Sequence, residues 1–527
     1  MKLYGLRGVG VSEARYDRRR EMGRFITNDK FFQNQGVEVA IAPLRPPLRY
    51  SRCARTELVL MSSIAPDFDR ALDRYQRGDL EEAKTLCQQL LQQNPHRLDG
   101  LNLLGGIAYQ QQRWHDALRC YKTIVRLYPG CGVGHANLGR TLQELDRLEE
   151  AVPHYQRALA IAPQNPEWHY NLGHLYWDLG RLEEAIAQFE TTMQLEVNFP
   201  DIRGHLALVL LLQGQWKRGF AEYEGRPVRD RLSQTFPHPE RIWDGSEIAG
   251  KRLLLLCEQG FGDAIQFVRY VPMLAQRGAQ VWVRCRPPLV RLLQTVPGCD
   301  RVLSTEDPLP HWDAHALLMS LPFLLETHQN TVASAVPYLN PPTSALSPSP
   351  PLPLSPSPFP KVGLVWSGRA THRKDKERSI AFDRLQQLLE IPEIEFYSVQ
   401  KDPRPEDAKI LATEWRLRDL VSNCRDFADT AAAIAFLDLV VTVDTSVAHL
   451  AGAMGKPVWL LLANVPDWRW GLTGETTPWY PTMRLFRQRR RGEWETVLAD
   501  LDRALRQWRS SWGRSSQNAE TRYPIIF

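Results

Sequence analysis

Residues 441–459, VTVDTSVAHLAGAMGKPVW, run as an apolar strand, break at Asp444, and resume as a helical pattern that ends at a glycine. Asp444, Thr445, Ser446 and His449 therefore fall at a strand-to-helix junction. The first amides of the helix there are unpaired and point outward, so such a turn can receive an anion. Thr445 and Ser446 can offer amides and hydroxyls to a diphosphate, and Asp444 can accept sugar hydroxyls. His449, one turn into the helix, would point back toward the same spot. A second stretch, CEQGFGDAIQFVRY at 257–270, places Glu258, Gly260, Gly262 and Asp263 after another apolar run. Its glycines allow close backbone approach, and Asp263 is expected at or near the helix N-cap; capping alone would also account for it. A third stretch, WSGRATHRKDKERSI at 366–380, leaves a strand through Ser367 and Gly368. His372, Arg373, Lys374, Lys376 and Arg378 follow as potential cations. Arg378 with Ser379 suits phosphate oxygens, although a charged loop also serves as a solvated surface. None of these stretches has the G-x-G-x-x-G or G-K-[ST] spacing of a dinucleotide or P-loop site.

These residues need elements to hold them. At 527 residues the chain is too long for one core, and its 43% hydrophobic and 24% charged composition is that of a soluble globular protein. A net charge of +5 argues against a dedicated nucleic-acid binder. No apolar run is long enough for a membrane span. The eight cysteines stand singly, with no C-x-x-C pair, so no metal site is expected and a cytoplasmic location follows as the plain reading. Residues 1–60 include Arg18-Arg19-Arg20 and read as a basic, disordered extension.

From residue 61 to 224 a period dominates. Ala83, Ala117, Ala151 and Ala185 recur every 34 residues, as do Gly105, Gly139 and Gly173, and Pro95, Pro129 and Pro163. Between them lie two amphipathic helical stretches per period. Three position classes keeping one period resemble the tetratricopeptide repeat, with four clear copies and a degenerate fifth that has Gly219 in the alanine place. Such arrays form α-solenoids whose concave face binds peptides or proteins; an array that only props up a neighbouring domain is the other reading.

After a connector at 225–249 the texture changes. Short apolar runs alternate with helical patterns over 250–340, and again over 361–510, including a helix through FDRLQQLLEI. This is the pattern of parallel sheets with crossover helices, hence two α/β lobes. Residues 341–360, PPTSALSPSPPLPLSPSPFP, separate them as an extended linker, and 511–527 form a tail.

DTSVAHLAGAMGKPVWLL resembles the D-T/S-x-x-x-H-L-A-x-A-x-G-x-P segment of family 9 glycosyltransferases, the heptosyltransferase-like group. QGFGDAIQFVRYVPML resembles their first-lobe G-D motif. The run from about 200 to 508, with VPDWRW and WYPTMRLFRQ, is similar to bacterial fusions of tetratricopeptide repeats with such a domain. The resemblance implies two Rossmann-like lobes (a GT-B fold) and an inverting, metal-independent transferase with no cofactor, whose co-substrate is a nucleotide-diphosphate sugar. It implicates Asp263 as the base beside Gly262. It places the donor at Asp444, Thr445, Ser446 and His449, with Arg378 or Lys376 nearest the family's basic phosphate contact. The acceptor, a protein or a glycan, would dock on the array. Removing 61–199 is then expected to leave a soluble, nucleotide-binding α/β part. Two alternatives stand beside this: an inactive scaffold for protein–protein interaction, and a protein O-linked sugar transferase.

Overall fold

The computed structural model describes residues 66–227, 229, 236–343, 358–372 and 374–512. The expected extension at 1–60, the middle of the expected linker (344–357) and the tail beyond 512 lie outside the described residues.

Five antiparallel helix pairs come first: α1 (Pro66–Arg77) with α2 (Leu80–Gln93), α3 (Leu98–Gln110) with α4 (Trp114–Leu127), α5 (Gly132–Glu144) with α6 (Leu148–Ile161), α7 (Pro166–Asp178) with α8 (Leu182–Leu195), and α9 (Ile202–Leu212) with α10 (Trp216–Tyr223). The 34-residue period has a steric cause. A Cβ added at Gly105 would lie 2.8 Å from the Tyr121 ring, one at Gly139 2.9 Å from Tyr155, and one at Gly173 2.6 Å from Phe189. Each glycine is thus where one helix backbone rests on the aromatic ring of its pair, and the fully buried alanines lie in the same seams. The expected degenerate fifth repeat is a true pair, with Gly219 against Leu211.

Two parallel sheets follow. The first has β1 (Arg252–Leu256), β2 (Gln280–Cys285), β3 (Cys299–Ser304) and β4 (Ala314–Leu317) in the order β3-β2-β1-β4. The second has β5 (Lys361–Val365), β6 (Glu395–Ser398), β7 (Leu417–Asp419), β8 (Leu439–Val443), β9 (Val458–Leu462) and β10 (Met483–Arg487) in the order β10-β9-β8-β5-β6-β7. Every pairing between these strands is parallel. Coverage on both faces explains why β1 reads as four leucines in a row and β8 as an apolar run broken by the buried Thr442. Strand order reverses between β1 and β4 in one sheet and between β5 and β8 in the other, and the carboxyl ends at such points are where open sheets leave a crevice.

Two expectations are corrected and a third is extended. The stretch Phe382–Glu390 coils in 3₁₀ turns, not as an α-helix; Phe382, Leu385 and Leu388, all buried, recur every three residues, the repeat of that tighter helix. The connector at 225–249 is not a mere spacer. Ile242 bridges to His315 beside β4, and the Trp243 amide donates to the His315 carbonyl (2.7 Å). Nor is the array a separable arm. Trp216 stacks on Trp479 at 5.2 Å, Lys374 lies over the Trp177 ring at 4.7 Å, and Arg491 joins Asp146 (2.6 Å) to Glu377 (2.9 Å). One hydrophobic cluster runs without a break from Leu98 in the repeats through both sheets to Leu485. Among the described residues no helix is long and apolar enough to cross a membrane.

Candidate functional site

The four buried leucines of β1 deliver the chain to Cys257, and the turn 257–260 leads into the helix Phe261–Phe267, α11. Gly260 is the N-cap of α11, so Asp263 sits three residues inside it, near the cap as expected. It still caps: its Oδ2 accepts from the Gly260 amide at 2.8 Å. The capping role expected of the aspartate is real, but it occupies one oxygen and leaves Oδ1 to another partner.

In the second lobe β5 ends in Trp366, Ser367 and Gly368, and β8 ends at Asp444. Thr445 is the N-cap of the helix Ser446–Ala453, α12. Arg378 crosses from the basic loop, and its Nη1 donates to the Asp444 carbonyl at 2.9 Å. Its guanidinium lies flat against Gly368, where any side chain would collide with it. Ser379 Oγ accepts from the Gly368 amide (3.0 Å) and donates to Asp375 (2.9 Å). Ser367 is buried, and its Oγ finds no hydrogen-bond partner among the described residues. Arg378, not Lys376, reaches Asp444; Lys376 is exposed on the same turn. Ser367, Gly368, Arg378, Ser379, Asp444, Thr445 and Ser446 are thereby gathered at the reversal point of the second sheet.

The two lobes meet at these turns. A Cβ on Gly262 would lie 2.9 Å from His449 Cδ2 and 3.6 Å from Ser446 Cα, so only glycine lets α11 lie on the start of α12. His449 is buried in this contact, with Nδ1 2.9 Å from the Tyr480 hydroxyl and its ring stacked on Trp470. Burial, helped by the nearby Arg469 and Arg269, holds it well below the ordinary histidine range, hence neutral. It joins the lobes and does not stand free beside a ligand. Arg291 clasps them further on, with Asp426 at 2.9 Å and Asp429 at 3.0 Å.

Charge at the meeting point is finely balanced. Burial raises Asp444 to about 6, with Asp467 adding to the rise and Arg378 opposing it. Burial likewise raises Asp263, against the pull of Arg469. Glu258, the other acid of the first stretch, is committed elsewhere. It is buried with Arg226 (2.9 Å) and accepts from the Met319 amide (3.2 Å); Arg226 also donates to Ser320 (2.9 Å). Burial raises Glu258 while Arg226 opposes it. With the Gln259 amide donating to the Tyr223 hydroxyl at 2.5 Å, the turn before α11 is bolted to the end of the last repeat.

The residue that sequence reasoning missed is Arg469. Its Nη2 donates to Asp263 Oδ1, its Nε to Gln266 Oε1, and its Nη1 to Asp467 Oδ1 at 2.8 Å. The signal was present in DWRW: a cation between two tryptophans, just past the carboxyl end of β9. Arg469 also stands on the wall of a cleft of about 610 Å³ between the repeat turns at Gly180–Glu183 and Gln213–Gly214 and the segment 468–478.

Family descriptions for tetratricopeptide repeats match residues 68–130, 139–180 and 167–195. The chain therefore carries such repeats. Protein FlbA of Caulobacter vibrioides is 27% identical over 334 residues, a match covering 58% of this chain and 55% of FlbA. The chain thus spans about half the length of that curated relative. Among solved structures, MamA is 19% identical with a TM-score of 0.30, covering 33% of this chain and all of MamA. TTC0263, a thermophilic repeat protein of Thermus thermophilus, is 24% identical with a TM-score of 0.28, over 33% of this chain and 92% of that one.

Proposed function

We propose that the chain is a glycosyltransferase of the GT-B kind, with two Rossmann-like lobes, that moves a sugar from a nucleotide-diphosphate donor to an acceptor selected by the repeat array. The observation that carries this reading is the meeting of two turns singled out independently. Gly262-Asp263, at the carboxyl end of one parallel sheet, lies against the Asp444–His449 turn at the carboxyl end of the other. The strand order of the second sheet is that of a doubly wound nucleotide-binding fold, and the gathered residues sit at its reversal point.

In this reading the donor diphosphate lies against the first amides of α12, with Arg378 and the Ser367 hydroxyl, unpartnered among the described residues, beside it, while Asp444 accepts sugar hydroxyls. Asp263 takes the proton of the acceptor hydroxyl. The acceptor oxygen forms its bond to the anomeric carbon as the bond to the diphosphate breaks, and the bonding electrons leave with the diphosphate. Attack opposite the leaving group inverts the configuration. Amides and a guanidinium stabilise the departing charge, and two lobes pressed together exclude water. The acceptor is a protein or a glycan docked on the repeats.

The test begins with donor fragments. Uridine, adenosine, guanosine and cytidine diphosphates are screened for thermal stabilisation, which for a true ligand amounts to about 2.7 kcal/mol at a hundredfold excess over its Kd. Arg378→Gln should shrink that stabilisation. No response to any of the four, or an equal response in the variant, overturns the reading. A second reading, a repeat scaffold that binds partners and transfers nothing, draws on the tetratricopeptide matches. It predicts that no nucleotide sugar is consumed even where a nucleoside diphosphate binds.

A further inference from the structure

We infer that Arg469 is the positioning residue for Asp263: supplied by the second lobe, it aims the first-lobe carboxylate and keeps it charged where the closed lobes bury it. The inference rests on the glycosyltransferase reading for what the base does, but not for the pairing itself.

Asp263 divides its two oxygens between the lobes. Oδ2 takes the Gly260 amide of its own helix turn, and Oδ1 takes Arg469. Arg469 cannot swing away cheaply. Three of its nitrogens are engaged, by Asp263 and Gln266 from the first lobe and by Asp467 from its own turn, and its guanidinium lies over the Trp468 ring at 4.7 Å. It is only 8% exposed. A carboxyl in such surroundings keeps its proton unless a cation is held against it. The other groups facing Asp263 do not supply that cation. Asp467 repels it. Tyr223, from α10, is a buried phenol whose ionisation is pushed up by that burial. His449 is neutral. Arg286 adds some pull, but it is spent on the Gln259 carbonyl (2.8 Å) and the Phe261 ring (3.9 Å). Asp444 lies near enough to Arg469 to feel its charge, but it is itself an acid, and Arg378, bound to its main-chain carbonyl, pulls on it more strongly. Arg469 is therefore the partner on which the ionised form of Asp263 depends. A first lobe parted from the second would return Asp263 to water as an ordinary carboxylate, so the arginine matters in the closed boundary, where burial would otherwise leave the carboxyl protonated.

The experiment reads the carboxyl directly and needs no substrate. Infrared spectra at pH 7.5 are compared for wild type, Arg469→Gln and the double variant Asp263→Asn/Arg469→Gln. Arg469→Gln should gain the carbonyl stretch of a protonated, buried carboxyl, and the double variant should lack it. A folded Arg469→Gln with no new band overturns the inference, as does a band that survives Asp263→Asn. Should Arg469→Gln not fold, Arg469→Lys serves, because it keeps the charge but cannot reach Asp263, Gln266 and Asp467 together. Its Asp263 band should then titrate at least about one pH unit above wild type, a tenfold change in the ionisation constant; an unmoved titration overturns the inference. The nucleoside diphosphate screen on wild type reports separately on the glycosyltransferase reading, so either can fail while the other stands.

Discussion

Asp444→Asn isolates the electrostatic strain at the lobe boundary. The carboxyl ionises at about 6 in the folded chain against an ordinary 3.8. A gap of about two pH units, at about 1.36 kcal/mol each, sets a ceiling near 3 kcal/mol. The side chain is partly open to solvent, so screening reduces this to about 1–2 kcal/mol. The direction follows from which state holds the proton. Below the ordinary value both states hold it, and the raised folded value contributes its full stability. Between 3.8 and about 6 the folded chain keeps a proton that the unfolded chain has lost, so stability drains away as pH rises, and above 6 none of it remains. Asn cannot ionise and carries no such loss. Urea midpoints at pH 4.5 and 7.5 read the difference. The variant should be more stable than wild type by about 1–2 kcal/mol at pH 7.5, and the advantage should shrink toward zero at pH 4.5. A variant equally or less stable at pH 7.5, with the same pH slope as wild type, refutes the argument and returns Asp444 to an ordinary solvated acid.

Gly262→Ala drives a methyl into His449 and should cost about 1–3 kcal/mol in urea denaturation, with a matching loss of nucleoside diphosphate stabilisation because the lobes no longer seat. Glu258→Gln leaves buried Arg226 with Glu224 (2.8 Å) as its remaining counter-charge and should cost about 1–3 kcal/mol by the same measurement. Asp263→Asn retains an acceptor for the Gly260 amide yet cannot take a proton. Stability should fall by about 1–3 kcal/mol, because Arg469 then keeps Asp467 as its remaining acid partner, while transfer of sugar to acceptor falls a hundredfold or more. Deleting 61–199 should yield aggregate in size-exclusion chromatography: α9 keeps eight buried residues, on all sides, that α8 and its neighbours now cover.

Much of the architecture is legible in the residues because it is enforced by close approach. Gly105, Gly139 and Gly173 recur because each meets an aromatic ring, and a periodic steric demand leaves a periodic trace. The apolar runs of β1 and β8 announce themselves for a similar reason, since both of their faces are covered. The candidate site is legible in its two turns and illegible in what joins them. Asp263 and Arg469 lie 206 residues apart, and nothing local in either segment specifies the pairing. Glu258 looks available in the sequence for the same reason: its partner Arg226 lies in the connector just past the repeats. The period suggests a separable array because it presupposes amphipathic helices throughout. In fact α9 buries eight of its eleven residues, and from Leu206 to Leu212 it is apolar on every side, as a helix packed between neighbours must be.

The stacking of Trp216 on Trp479, together with the unbroken cluster that runs from the repeats into both sheets, turns the array from a tether into a ruler. A recognition module on a flexible leader raises the local concentration of its cargo over a whole volume, and the gain fades smoothly as the leader lengthens. A module mortised into the domain it serves does neither. It offers cargo at one distance and one bearing, so a target whose reactive group lies a few residues too near or too far from its docking motif is refused, however tightly the motif is held. Selectivity of this kind would be encoded as spacing along the target chain, and it would be altered by inserting a whole repeat more readily than by changing any residue on the docking face.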